Sequence, residues 1–520
     1  MSTLLEGQAK CSAIHDPVHS LIRIPDLENE ILKMPAMNRL HDIRSLGLAQ
    51  LVFPGATASR FSHSIGTMYL AHKMAEQILS SMKKRQYFSK IFPDLKESEG
   101  DLSRIVQAVR LAALLHDVGH GPFSHTSETF MMASIAKDPG RLSEYKLLFP
   151  LSQPSVETRN HAHEYFGIKI IKKLLKEPEV SAFLPDLESE DVTCLLSKND
   201  AGSQLFATDA ALNIFRQVIS SDIDADRMDY ILRDSWYTGA EFGKIDKERL
   251  IDNMEIVNPG EGSYLIGYSE KALGNIEDFL DSRYKMYKWV VRHHLMVAFD
   301  HLLKFSIYDM ISSGQLSLNE FRWENYYRGK TTDSTVNSII FGNSVDYNMI
   351  CRSLVDRRYA PISLFKGRSE SYMRFEKTVS GKLHQGSGSG KLRNDPLKNI
   401  ENYISRINAP LSDPEIADGI PRIMVGDLPA IVLGASSPEP ALESVTGGKG
   451  ILIYDGSTVL PMESVSSYFA SLNNEWTKFR PYYFSYLVPG MKREGYSSEA
   501  FREKFVDILT TDIALGGIEE

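Results

Sequence analysis

Leu115-His116-Asp117-Val118-Gly119-His120-Gly121-Pro122-Phe123-Ser124-His125 sets an imidazole beside a carboxylate and follows them with two more histidines in a Gly/Pro turn. Ahead of it, Ile105, Ala108, Val109, Ala112 and Leu115 recur at helical spacing, which predicts a helix with a buried apolar face. A helix that carries His116 and Asp117 off such a face loses their hydration unless a metal or a polar partner replaces it. Imidazole with carboxylate suits a divalent ion such as Mn, Fe, Co or Zn. The histidines beyond the turn are candidates for proton transfer or phosphate contact.

Working outward, two other His-Asp pairs occur. His15-Asp16 runs into Pro17, which biases Asp16 toward a turn. His41-Asp42, with charged neighbours, reads as the middle of a helix. Both are taken as structural. A second helical run opens at Arg60-Phe61-Ser62-His63, with Ile65, Met68, Ala71, Ala75 and Ile78 on one face. Farther on, Asp222, Asp224, Asp226 and Asp229 crowd into eight positions, and such acids repel unless a cation or an arginine lies among them. His63, His116, Asp117 and one of these aspartates would make a mixed nitrogen and oxygen site with positions open to water or phosphate, the pattern of a hydrolytic metal.

The order His … His-Asp … Asp resembles the HD superfamily of metal-dependent phosphohydrolases, and within it the dGTPase-like deoxynucleoside triphosphate triphosphohydrolases. Four blocks carry the resemblance: His15-Asp16-Pro17-Val18-His19 with Arg39-Leu40 and Leu46-Gly47; Val52–Ala56 with Arg60–Gly66; Leu115–His125; and Ile223–Tyr230 with Arg233-Asp234. The fold it implies is mostly α, a helical HD-domain phosphohydrolase core followed by a smaller α+β C-terminal region. The metal ligands it implies are His63, His116, Asp117 and Asp226, holding a divalent ion (Mn, Mg, Fe or Zn). Asp224 and Asp229 become supporting acids. Arg60 and Arg227 become phosphate clamps, Arg227 standing where the family usually has Lys. His120, His125 and His163 match catalytic and phosphate-contacting histidines, with Glu128 in place of the Asp that commonly orients the catalytic one. Tyr230 is expected against the deoxyribose, Asp234 at its 3′-hydroxyl and Arg283 on the nucleotide.

The implied reaction is attack of water on the α-phosphorus of a dNTP, releasing deoxynucleoside and intact triphosphate. There are departures from the family. Ser45 replaces a sugar-contacting Gln, Val291 replaces a tyrosine of the base pocket, and Lys33 and His41 alter the vertebrate guanine-nucleotide activator site. Two rival readings stand beside the triphosphohydrolase: an HD nuclease or cyclic-nucleotide phosphodiesterase, and a nucleotide sensor without turnover.

The 520 residues predict more than one core, and we divide the chain into 1–310 (HD catalytic), 311–395 (helical and loop extension) and 396–520 (α+β, regulatory or oligomer-forming). A hydrophobic content of 42% with 24% charged residues is that of a water-soluble globular chain. Cys11, Cys194 and Cys351 are too scattered for a zinc site or a disulfide framework. No signal peptide or membrane span is read, so cytoplasm is expected. The net charge of −9 argues against general nucleic-acid coating. Residues 352–398 depart from this, with eleven Lys/Arg against four Asp/Glu. We expect there a flexible basic loop: a seat for an allosteric nucleotide at a homo-oligomer interface (dimer or tetramer), as the resemblance implies, or a site for single-stranded nucleic acid, or a solvated surface. Strands are expected at His19–Ile24, as part of a hairpin, and at Ile423–Val425, Ala430–Leu433, Ile451–Tyr454 and Tyr482–Leu487, with a last helix from Ser498 to Leu515.

Overall fold

The computed structural model describes residues 11–126, 162–184, 186–197, 202–260, 262–345, 349–356 and 360–363, and, nearer the C-terminus, 422–425, 428–436, 450–468, 483–487, 499–500 and 503–504. Glu128, His161, most of the basic segment and most of the expected last helix lie outside them. Among the described residues helices dominate, as expected, with three small sheets.

The chain enters as the expected hairpin, β1 (Ser12–Asp16) against β2 (Ser20–Ile24). Asp16 closes the turn by accepting the amides of Val18 and His19 at 2.8 and 2.9 Å. Helix α1 (Asp26–Lys33) follows. His41-Asp42 does not sit mid-helix: Arg39–Asp42 is a single 3-10 turn, ended where Ile43 becomes extended. The reason is tertiary, since Arg44 forms an antiparallel bridge with Ser59 just beyond.

Helix α2 (Arg60–Lys84) is the long axis of the core. The Ser59 side chain caps it by accepting the Ser62 amide at 3.3 Å, satisfying one of the free N–H groups of the first turn. Ile65, Met68, Ala71, Ala75 and Ile78 are all buried along it. Against α2 lie α3 (Glu99–Leu115), capped by Ser98, then, after α4 (Ala162–Leu174), α5 (Asp209–Ile219), capped by Thr208, and α6 (Ala225–Thr238), capped by Asp224. Helix α6 stops at Gly239, whose φ of 71° is the left-handed conformation usual just past a helix end. Then come β3 (Met254–Val257), β4 (Leu265–Ser269), α7 (Leu273–Met286), a π-helical stretch Tyr287–Val291, α8 (His294–Ser312) and α9 (Asp333–Val345).

The four C-terminal strand expectations are met by β6 (Arg422–Val425), β7 (Leu428–Ser436), β8 (Leu452–Tyr454) and β10 (Tyr483–Leu487); β5 is Ile362–Ser363 and β9 is Val459–Pro461. One sheet runs β3-β4-β8-β9, the other β5-β10-β7-β6. Strand β8 joins β4 in parallel across nearly two hundred residues of sequence, Tyr268 opposite Ile453. Backbone hydrogen bonds therefore link the segments bounded at 310 and 395.

Among buried charges, Arg110 of α3 donates from Nε to Glu28 of α1 at 2.7 Å, both almost fully enclosed. Glu28→Ala strands the Arg110 charge and should lower stability by about 3–5 kcal/mol, read as the urea midpoint; a loss below about 1 kcal/mol would mean that water reaches Arg110. His72, buried on α2, has its pKa pulled down to about 3 by burial together with the Arg110 and Lys73 charges, despite Glu76 at 3.8 Å. The unfolded chain binds that proton near 6.5 and the folded one does not, so this stabilisation is complete above about pH 6.5 and is lost as pH falls toward 3. Urea midpoints should therefore fall between pH 7.5 and 5, and less steeply in His72→Gln; equal slopes would refute the assignment.

Candidate metal centre and active site

Three helices deliver the centre. Helix α2 brings His63 in its first turn, the end of α3 brings His116 and then Asp117, and the first turn of α6 brings Asp226. His63 Nε2 lies 2.9 Å from Asp226 Oδ1 and 3.6 Å from Asp117 Oδ2; His116 Nε2 lies 3.3 Å from Asp117 Oδ1 and 3.7 Å from Asp226 Oδ1. The four sequence candidates thus converge on one point.

The proton positions follow from the partners. His63 Nδ1–H donates to Asp229 Oδ2 at 2.7 Å, and His116 Nδ1–H donates to the Ala113 carbonyl at 2.7 Å. Each ring is thereby set to present Nε2 to the shared point. Among the described residues the buried His116 Nε2 has no hydrogen-bond partner, so its lone pair is aimed at a position that a cation or a proton donor can fill. Two imidazoles and two carboxylates with such an orphaned nitrogen fit a divalent metal. Burial alone disfavours charge at His63, but hydrogen bonds to Asp226 and Asp229 outweigh it and lift its pKa to about 10. Burial likewise opposes charge on Asp117, yet the Arg60, His116 and His120 charges hold its carboxyl well below the usual range. The carboxylates stay ionised, and a cation entering here replaces a proton on His63.

Around the quartet, Arg60 pairs with Asp117 through Nη1 and donates from Nε to Ser124 Oγ at 2.9 Å. Arg227 is turned to Asp222 at 3.2 Å and Asp224 at 3.6 Å. His120 Nε2 lies 3.2 Å from Asp117 Oδ1 and stacks on His163 with centroids 4.0 Å apart, while His125 meets both edge-on at 4.7 and 5.4 Å. The approach of α4 that brings His163 here requires Gly119, because a Cβ on it would fall 2.0 Å from the His163 carbonyl oxygen. Tyr230 shares its electrostatic surroundings with Arg283, Arg227 and Asp226, and Asp234 with His63 and Arg60. Among the described residues Asp234 Oδ1 and Arg283 Nε and Nη1 are buried without hydrogen-bond partners, as is the Ser45 hydroxyl, and such orphaned groups are candidates to meet a ligand. Burial pushes the Asp234 carboxyl up to about 7.

The structure also assembles residues that the sequence reading treated as merely structural. Asp229, expected as a supporting acid, is where they meet. Fully enclosed, it accepts from His63, from His19 Nε2–H at 2.7 Å, and from Arg233 Nε and Nη2 at 2.8 and 2.9 Å. Arg233 Nη1 donates to Asp16 at 2.8 Å, and Lys247 donates to His19 Nδ1 at 2.8 Å. Gly66 makes room for this crossing, since a Cβ there would fall 1.9 Å from Asp229 Oδ1. The His15–His19 block was the available signal, but its long-range partners were not.

Asp229→Asn removes the charge that orients His63 and should weaken Mn²⁺ binding by about 10–100-fold, read by calorimetry on folded protein. Wild-type Mn²⁺ affinity in that variant would refute the orienting role.

Residues 60–199 match the family model described as HD domain. An uncharacterized protein of Methanocaldococcus jannaschii is 29% identical over 307 residues, covering 59% of this chain and 51% of that protein. Deoxynucleoside triphosphate triphosphohydrolase SAMHD1 of Homo sapiens is 26% identical over 305 residues, covering 56% of this chain and 43% of that protein. The chain spans about half the length of these curated relatives. A crystal structure of a hypothetical protein from Aquifex aeolicus shares the fold, with a TM-score of 0.59 at 21% identity over 95% of this chain and 100% of that one. No helix among the described residues is long and apolar enough to cross a membrane. With the His63, His116, Asp117 and Asp226 geometry, these likenesses show that residues 60–199 are similar to the HD domain.

Proposed function

We propose that this protein hydrolyses deoxynucleoside triphosphates to deoxynucleoside and inorganic triphosphate. The observation that carries this reading is the pair of imidazoles locked to present Nε2 to one point beside Arg60. His63, His116, Asp117 and Asp226 would hold a divalent ion, which supplies Lewis-acid neutralisation of the phosphate and a more acidic water. Arg60 and Arg227 neutralise phosphate oxygens; Arg227 leaves Asp222 and Asp224 to do so, and its planar fork suits the task. Water adds to the α-phosphorus, and the bond from that phosphorus to the nucleoside 5′-oxygen breaks. His125 gives a proton to that oxygen, oriented by Glu128, which lies outside the described residues. His120 and His163, stacked on each other, contact phosphate. Asp234 accepts the 3′-hydroxyl through its unpartnered oxygen, Tyr230 packs on the deoxyribose, and Arg283 turns its unpartnered nitrogens to the nucleotide. The basic segment 352–398 is a seat for an activating nucleotide in a homo-oligomer.

Product analysis tests this. Incubated with Mn²⁺ or Mg²⁺ and the four dNTPs, singly and in pairs, the protein should yield nucleoside and intact triphosphate, and a requirement for a second dNTP would reveal activation. Asp117→Asn should lower turnover by at least about a hundredfold. Cleavage of cyclic or single-stranded nucleotides with no triphosphate release would select the phosphodiesterase reading. Nucleotide binding with no turnover would select the sensor.

A further inference from the structure

The turn after His120 is held in an unfavourable backbone form. Phe123 and Ser124 are consecutive non-glycine residues with φ of 56° each, a region that L side chains seldom occupy. Such conformations persist only where the surroundings fix them. Two contacts do so. The Phe123 ring is buried in the core, and the Phe123 amide donates to Asp333 Oδ1 at 2.6 Å. The other oxygen of that carboxylate, Oδ2, accepts the Arg44 amide at 2.9 Å. Asp333 is itself buried. It begins α9, more than a hundred residues past the end of the HD-domain match.

Asp333 therefore ties two segments that both touch Arg60. On one side Arg44 bridges Ser59, and the Arg60 amide donates to the Ile43 carbonyl at 2.9 Å. On the other, Ser124 Oγ donates to the Arg44 carbonyl at 2.8 Å and accepts from Arg60 Nε at 2.9 Å. Arg60 Nη1 then meets Asp117. Carboxylate, strained turn, serine hydroxyl and guanidinium form one continuous chain of contacts.

We infer that Asp333 is a positioning residue: by clamping the Phe123 and Arg44 amides it seats Ser124 against Arg60 and so aims the guanidinium at the phosphate position. This rests on the proposed role of Arg60 as a phosphate clamp. It also gives the segment beyond residue 310 a defined mechanical hold on the centre. None of the four candidate metal ligands is among Asp333's hydrogen-bond partners, so metal binding should be spared.

The test uses the full chain and the variants Asp333→Asn, Ser124→Ala and Arg60→Gln. Asn keeps one acceptor oxygen where two are used, so one amide loses its partner. Three quantities are read: Mn²⁺ content, binding of inorganic triphosphate to the Mn²⁺-loaded protein, and amide hydrogen exchange over residues 43–60 and 119–126. Asp333→Asn should keep wild-type Mn²⁺ content, speed exchange in both peptides and weaken triphosphate about 10–100-fold. Ser124→Ala should weaken triphosphate similarly, with exchange near Arg44 less affected. Unchanged exchange in Asp333→Asn, or triphosphate binding within twofold of wild type while Arg60→Gln loses it, overturns the inference. Loss of Mn²⁺ together with triphosphate also overturns it, because the carboxylate would then be supporting the metal ligands. If Arg60→Gln binds triphosphate like the wild type, it is the phosphate-clamp reading that fails, and the exchange data still decide whether Asp333 holds the turn.

Discussion

A single buried carboxylate organises the centre. Asp229 accepts hydrogen bonds from His63, His19 and both near nitrogens of Arg233. Desolvating a carboxylate is costly unless its lone pairs are met by donors, and here the guanidinium supplies both charge and paired geometry. The result is that α2 and α6 cross at a fixed height, with Gly66 as the gap that permits it. From that crossing the rest follows: His63 is turned so that Nε2 faces Asp226 and Asp117, and the N-terminal hairpin is drawn in through Asp16 and His19. The hairpin is a remote piece of sequence doing the work of a clamp.

The turn that carries His120 and His125 is held by a different device. Arg39 donates from Nη2 to the carbonyls of Val118 and His120 at 3.1 and 2.7 Å and lies over the Tyr326 ring at 4.3 Å. Gly119 lets α4 approach from the other side. The turn is thus gripped by residues before, after and far beyond it in the chain. The phosphate contacts proposed for these histidines would need such rigid support, and it comes from backbone carbonyls and amides rather than from the histidines themselves.

Electrostatics sorts the acids of the Asp222–Asp229 cluster into separate tasks. Asp224 caps α6 by accepting the Arg227 amide at 2.7 Å, and burial raises its carboxyl to about 7. Asp226 faces two imidazoles, which overcome burial and hold it far below the usual range. Asp229 is neutralised by Arg233. These three acids, a few residues apart, differ because each meets a different partner.

The mostly helical class, the C-terminal strands and the candidates His63, His116 and Asp117 were legible from the residues because they rest on local rules, whereas Asp226 was singled out among the clustered acids by the resemblance. Apolar spacing marks a helix face, an Asp before a helix marks a cap, and imidazole beside carboxylate at a helix end marks a metal site. The mid-helix reading of His41-Asp42 failed because the bridge from Arg44 to Ser59 joins residues fifteen apart, which no helical window senses. Asp229 was expected as a supporting acid, but its partners were hidden because nothing near it in sequence announces His19 or Asp16, which sit more than two hundred residues away. Asp333 and the left-handed pair Phe123-Ser124 were invisible for the same reason. Local sequence was enough to mark which side chains are candidates for the chemistry and which helices carry them. Tertiary structure decided how those side chains are turned, because orientation depends on hydrogen-bond partners that the fold brings from remote parts of the chain.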